Sequence, residues 1–124
     1  MIIGMPTRFA KEPCVYILAS QPNGVLYTGV TSAVWDRVNE HKQGLIEGFT
    51  KKYGVKMLVY AEFHDSMDEA IRREKRIKTW NRAWKVRLIG EMNPEWADLW
   101  LATGEILPHG PGGQAVPRDG DGTL

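Results

Sequence analysis

Apolar residues gather near the start of the chain in two short runs, Cys14-Val15-Tyr16-Ile17-Leu18 and Val25-Leu26-Tyr27-Thr28-Gly29-Val30. Both are rich in β-branched and aromatic side chains, and Pro22-Asn23-Gly24 supplies turn chemistry between them. Two antiparallel neighbouring strands are therefore predicted. Val34 and Val38 then mark the core face of a helix running to Lys42. Thr31 or Ser32 is its expected cap, Asp36 lies in its first turn and Gly44 is its stop. The stretch from Gly44 to Gly54 holds three glycines with Lys51 and Lys52 and is expected to be a mobile loop. Lys56-Met57-Leu58-Val59-Tyr60-Ala61-Glu62-Phe63 reads as a third strand. Ser66 or Asp65 caps a second helix running to about Trp80, and a further helix follows from Arg82 to Gly90. A turn at Asn93-Pro94-Glu95-Trp96 and a short helical piece from Trp96 to Ala102 close the pattern.

The order strand, strand, helix, strand, helix, helix gives an α/β (α+β) fold with helices packed on a small sheet. The place of the third strand in that sheet is left open by the pattern alone. Residues 1–12 show no periodicity and form a flexible lead-in to a single domain at 13–102. From 103 to 124 glycine and proline dominate, so a disordered tail is expected there.

One position breaks the hydrophobic pattern. On a wheel of 100° per residue, Met67, Ala70, Ile71 and Ile77 all fall within about 60° of Glu74, while Arg72 and Arg76 fall on the opposite side. A carboxylate at the centre of an apolar stripe needs a partner. Two are available in principle: Arg37, as a structural ion pair, or a hard divalent cation, which takes one or two carboxylates and completes its shell with water and phosphate.

Composition sharpens this picture. At 124 residues with 43% apolar content, the chain suits one domain with its own core. The single cysteine, Cys14, excludes an intramolecular disulfide. It reads as a packed thiol in a reducing compartment, so a cytoplasmic location without a membrane span is expected. The net charge of +1 conceals a strong asymmetry. Eight cations between Ile71 and Leu88 face only Glu74, which suits either a solvated helix face or contact with a polyanion.

Arg37 and His41 lie four residues apart on one helix face. Both can be ordinary solvent-facing residues. As chemistry, arginine offers a fork matched to phosphate, and histidine can move a proton or orient water. Strand tyrosines are ordinarily packing residues, and a phenol acts as a base only among cations or metal-bound water. The chain contains no Ser-His-Asp arrangement, phosphate-binding glycine loop or zinc-type Cys/His spacing.

Together these residues resemble the GIY-YIG nuclease superfamily, in its small single-domain bacterial form. The two tripeptides stand here as Val15-Tyr16-Ile17 and Tyr27-Thr28-Gly29. Arg37 follows Tyr27 by ten residues and His41 by fourteen. The helix with Glu74, the run Arg73-Glu74-Lys75-Arg76-Ile77-Lys78 before Trp80, and the closing Asn93-Pro94 with Trp96, Asp98 and Leu99 extend the match from Pro13 to Leu99. Val15 and Thr28 depart from the motif without removing a catalytic group.

The resemblance implies a three-stranded antiparallel sheet and one-metal hydrolysis of DNA phosphodiesters, with Glu74 holding Mg²⁺ or Mn²⁺ and Arg37 stabilising the scissile phosphate. Tyr27 or Tyr16 would help activate water, His41 would assist proton transfer, Gly29 would allow close approach, and Asn81 or Asn93 would support the site. Without an attached recognition module, contact with DNA, including branched or damaged DNA, rests on Lys51, Lys52, Arg73, Lys78 and Arg82, which read backbone charge. The function expected is an endonuclease of repair, recombination or defence. The alternatives are a catalytically weak nucleic-acid-binding module that keeps the fold, and a partner-binding scaffold drawing on the five tryptophans.

Overall fold

A computed structural model describes residues 12–116. Its elements are β1 (Cys14–Ala19), β2 (Leu26–Thr31), α1 (Val34–Lys42), α2 (Phe49–Tyr53), β3 (Met57–Phe63), α3 (Met67–Lys78) and α4 (Arg82–Met92). The expected lead-in lies almost wholly in residues 1–11, outside the described residues.

The sheet has the order β2-β1-β3, antiparallel throughout, which settles the place of the third strand. β1 is central because it pairs with both β2 and β3, and its six residues are all buried, as in a strand covered on both faces. Tyr16 stands opposite Gly29 on one side and Ala61 on the other. Side chains alternate along a strand, so Tyr16 and Tyr27 share one face while Tyr60 and Glu62 point to the other. A bulge in β3 at Val59 shifts the pairing from Ile17↔Tyr60 to Leu18↔Leu58.

The helices follow local rules with instructive exceptions. Ser66 accepts a hydrogen bond from Glu69 N and caps α3, as expected, and Asn81 caps α4 through Trp84 N. For α1 the expected caps fail. Ala33 holds the cap position without a side-chain bond, because Thr31 Oγ1 is used by the amide of Ala33 instead. The stretch expected as a mobile loop contains α2, bounded by Gly48 at φ 112° and Gly54 at φ 64° and anchored by the buried Thr50. Periodicity missed it because five residues are too few to show a stripe.

Two expectations at the far end are corrected. Trp96 to Ala102 is not helical: Trp96 has φ 55°, and the segment lies along the outer edge of β3. There Asp98 accepts from Leu58 N, Leu99 N donates to Leu58 O, and Asn93 donates to Val59 O. Residues 103–116, expected as part of a disordered tail, are packed onto the domain. Trp100 bridges Ile106, Leu107 N bonds to Leu99 O, and Gly110 N bonds to Met92 O. Here glycine serves close contact: any Cβ on the buried Gly110 would collide with the Asn93 side chain. Residues 117–124 lie outside the described residues. Trp35 and Trp100 stack at 4.9 Å, and Trp100 Nε1 donates to Trp35 O, which fastens this closing segment to α1. Among the described residues no helix is long and apolar enough to cross a membrane.

Candidate active site

The hairpin and α1 bring Tyr16, Tyr27 and His41 together on one face of the sheet. Tyr16 and Tyr27 sit diagonally on paired strands with ring centroids 6.3 Å apart. His41 lies 5.9 Å from the first ring and 5.4 Å from the second. The Tyr16 hydroxyl is 3.1 Å from His41 Nε2, and His41 Nδ1 is 2.9 Å from Thr50 Oγ1. The imidazole is thus held at both nitrogens, with its tautomer coupled to the proton positions of its neighbours. Gly29 makes this possible, because a Cβ there would sit 2.5 Å from Tyr16 Cζ. The phenol lies flat across the glycine.

Electrostatics divide the two tyrosines. Burial above all, and then Tyr27, push the Tyr16 phenol well above its ordinary range, while the Arg37 guanidinium opposes the rise. Tyr16 is 1% exposed and keeps its proton at neutral pH, whereas Tyr27 is only partly buried. Burial, followed by the charge on Arg37, holds His41 below the ordinary imidazole range despite Glu40 nearby. His41 is therefore neutral at physiological pH.

Arg37 pairs with Glu40 at 3.1 Å, and its side chain stays 41% exposed. Glu74 is buried, as the wheel requires, and its carboxylate meets Lys78 Nζ at 2.6 Å. The Arg37 to Glu74 ion pair weighed as the structural alternative does not form. Nor does a hydrogen bond or ion pair link Glu74 to Tyr16, Tyr27 or His41. Among the described residues no group of three or more His, Cys, Asp or Glu converges as metal ligands. A cation at Glu74 would rest on one protein carboxylate, a donor set that fits a hard ion completed by water and phosphate and does not fit a closed structural site.

The supporting and basic residues are placed less as expected. Asn81 is the exposed cap of α4. Asn93 is fully buried and bonds to Val59 O, Ala97 O and Ala97 N, so it ties α4 to β3 and to the closing turn. Neither asparagine bonds to the tyrosine and histidine cluster. Arg73, expected on a DNA-facing surface, is turned inward onto Glu62 Oε2 at 2.9 Å with its side chain 12% exposed, and it lies over the Trp80 ring. Lys78 is held by Glu74, Lys51 by Glu47, and Arg82 donates to Asn23 O. Lys52 is exposed beside the Tyr53 ring.

Two groups escaped sequence reasoning. Thr50 was hidden in the glycine-bounded stretch, where nothing periodic marked it. The second is a closed cluster on the opposite face, in which Tyr60, His64 and Arg73 all bond to Glu62. Its signal was present as Tyr60, Glu62 and His64 at alternate positions, which a strand places on one side. Burial raises the carboxyl of Glu62, but the bonds from Arg73 and Tyr60 outweigh it and hold the group below the ordinary range.

Comparison with known proteins places the chain in a family. The model of the GIY-YIG catalytic domain matches residues 12–87. A UPF0213 protein of Staphylococcus haemolyticus is 42% identical over 77 residues, covering 62% of this chain and 93% of that protein. A UPF0213 protein of Staphylococcus aureus matches with the same identity and coverage. The solution NMR structure of a UPF0213 protein from Bacillus halodurans is 33% identical, covers 64% of this chain and 83% of that one, and superposes with a TM-score of 0.41. The matched span takes in both tyrosines, Arg37, His41 and Glu74. The chain belongs to the GIY-YIG family, as a small catalytic domain of the nuclease type.

Proposed function

We propose that this protein is a divalent-metal-dependent endonuclease that hydrolyses DNA phosphodiester bonds, acting in the cytoplasm on branched or damaged DNA during repair, recombination or defence. The observation that carries the reading is the convergence of two phenols and a neutral imidazole, with the Tyr16 ring lying over Gly29 and Arg37 acting on the Tyr16 hydroxyl.

In this reading the partly exposed Tyr27 meets the attacking water, while the buried Tyr16 holds His41 from one side and Thr50 holds it from the other. His41, neutral and held at both nitrogens, can take up a proton only by relay through the Tyr16 hydroxyl at Nε2, which passes on its own proton as it accepts one from the water side. Arg37 keeps enough exposure to offer its fork to a phosphate whose charge grows in the transition state. Glu74 would hold Mg²⁺ or Mn²⁺. When bound, such an ion lowers the pKa of coordinated water and neutralises phosphate charge. The Lys78 side chain is 51% exposed and can leave Glu74 without breaking a packed core.

That ion pair also favours the second reading, a nucleic-acid-binding module with weak catalysis, in which Lys78 permanently occupies the carboxylate. Nicking of supercoiled plasmid and branched DNA with Mg²⁺ or Mn²⁺ decides between them. The wild type should cut, Glu74→Ala should not, and Arg37→Ala should cut far more slowly. Equal cleavage by wild type and Glu74→Ala would refute the assignment. Steeply salt-dependent binding without any cleavage would establish the binding module.

A further inference from the structure

Large apolar side chains are mostly inside this fold, yet α2 shows two of them to solvent. Phe49 is 47% exposed and Tyr53 is 49% exposed. They are four residues apart, so they share one face of a helix only five residues long, and their ring centroids lie 4.9 Å apart. Lys52 Nζ stands 5.3 Å from the Tyr53 ring, and Lys51, paired with Glu47, adjoins it. On the flank of the same helix turn Thr50 is buried and meets His41 Nδ1. α2 therefore displays rings and a cation outward and grips the candidate active site inward.

We propose that Phe49 and Tyr53, with Lys52 beside them, form a stacking platform for unpaired nucleotides next to the active site. The proposal rests on the nucleic-acid reading given above and names the feature of the substrate that is selected. Every base has a π face, and base-to-aromatic stacking tolerates any sequence, while a neighbouring cation answers the phosphate. Bases inside a duplex are already stacked on one another and cannot reach the rings, so the platform favours single-stranded, frayed or flapped segments. Charge commits the occupant: an exposed lysine beside the Tyr53 ring suits a polyanion with flat faces better than an apolar protein surface, whose contact would strip that ammonium of water. Trp84 provides an internal contrast. It is 50% exposed but leans edge-on against Trp80 and lies on α4, which supplies no residue to the tyrosine and histidine cluster.

The test measures binding by anisotropy with the full chain carrying Glu74→Ala, in EDTA, so that cleavage plays no part. Probes are a labelled single strand of about 12 nucleotides, the corresponding blunt duplex, and a single strand of the same length built from abasic sites. The single strand should bind about tenfold or more tightly than either of the others. Adding Phe49→Ala and Tyr53→Ala should erase that preference, Phe49→Trp with Tyr53→Trp should keep it, and Trp84→Ala should leave it unchanged. Circular dichroism melts should show the exposed-site variants folded as the parent is. Abasic and normal strands binding alike would overturn the platform, as would Trp84→Ala costing as much as the double variant. It would equally fall if sedimentation showed self-association that the double variant abolishes while strand binding persists. The nuclease reading stands or falls separately, on plasmid cleavage by the wild type.

Discussion

The two faces of the sheet carry polar clusters made from nearly the same parts. On one, Tyr60, His64 and Arg73 converge on Glu62. On the other, Tyr16, Tyr27, His41 and Thr50 gather under the influence of Arg37, with no carboxylate bonded among the rings. In the first cluster three donors meet one buried acceptor, so charge and hydrogen-bonding capacity are closed. In the second, the imidazole stays uncharged between two hydroxyls, the Tyr27 phenol is partly exposed, and the guanidinium stays open to solvent. A tyrosine, a histidine and an arginine do not make a site. The difference between a structural lock and a candidate site here is whether a buried carboxylate has already satisfied the others.

The contrast is broken most forcefully at Glu62. Glu62→Ala leaves a partly buried arginine and a buried phenol unpaired and should cost about 3–5 kcal/mol of stability in urea unfolding, with activity per folded molecule retained. A loss below about 1 kcal/mol would show that the cluster is not a lock. Arg37→Ala should act in the opposite sense, leaving the melting temperature nearly unchanged while slowing DNA nicking by about 10²–10³-fold. If unfolding shifted as much as for Glu62→Ala, the two faces would not differ in kind. Gly29→Ala tests the junction between strand and site: the intruding Cβ must displace the Tyr16 ring, at about 1–3 kcal/mol, and cleavage should fall with it. Retained activity with unchanged stability would show that the Tyr16 ring does not need the glycine.

Thr50→Val sharpens the comparison more gently. It removes one hydrogen bond to His41, worth about 1 kcal/mol, and should lower the rate by displacing the imidazole, whereas Thr50→Ser should restore it. Failure of the serine to rescue would point to packing. The smallest effect concerns pH. His41 is held below its ordinary range when folded, so the unfolded chain takes up the proton first. Stability should therefore decline as pH falls from about 6.5 toward the folded value, then level off. Glu62 is also lowered, and its contribution, present above the ordinary carboxylate range, is lost only as pH falls through its lower folded value. Melting temperatures from pH 8 to 3 should show two separate declines, and His41→Asn should remove the upper one alone. A single decline unaffected by that variant would contradict the assignment.

Much of this was legible in the chain. The hairpin, the third strand, the Ser66 cap and the inward carboxylate of Glu74 each follow from local pattern, because alternation, turn chemistry and helical period act over a few residues. What escaped was set by tertiary partners. Arg73 looks like its basic neighbours in sequence, and only the position of Glu62 on β3 turns it inward. Thr50 gains meaning from a histidine nine residues away across a turn. Residues 103–116 were misjudged because glycine and proline content reports on freedom in isolation, and Gly110 is instead required by the crowding around Asn93.

The segment along β3 has a consequence for how the chain is made. β3 is an edge strand, and its outer backbone groups at Leu58 and Val59 are answered by Asn93, Asp98 and Leu99. During synthesis every residue matched to the family model leaves the ribosome before those three. The nascent domain thus passes through an interval in which the candidate site residues are present and the sheet still has an open, adhesive border, and the emergence of residues 93–99 is what renders it unsociable.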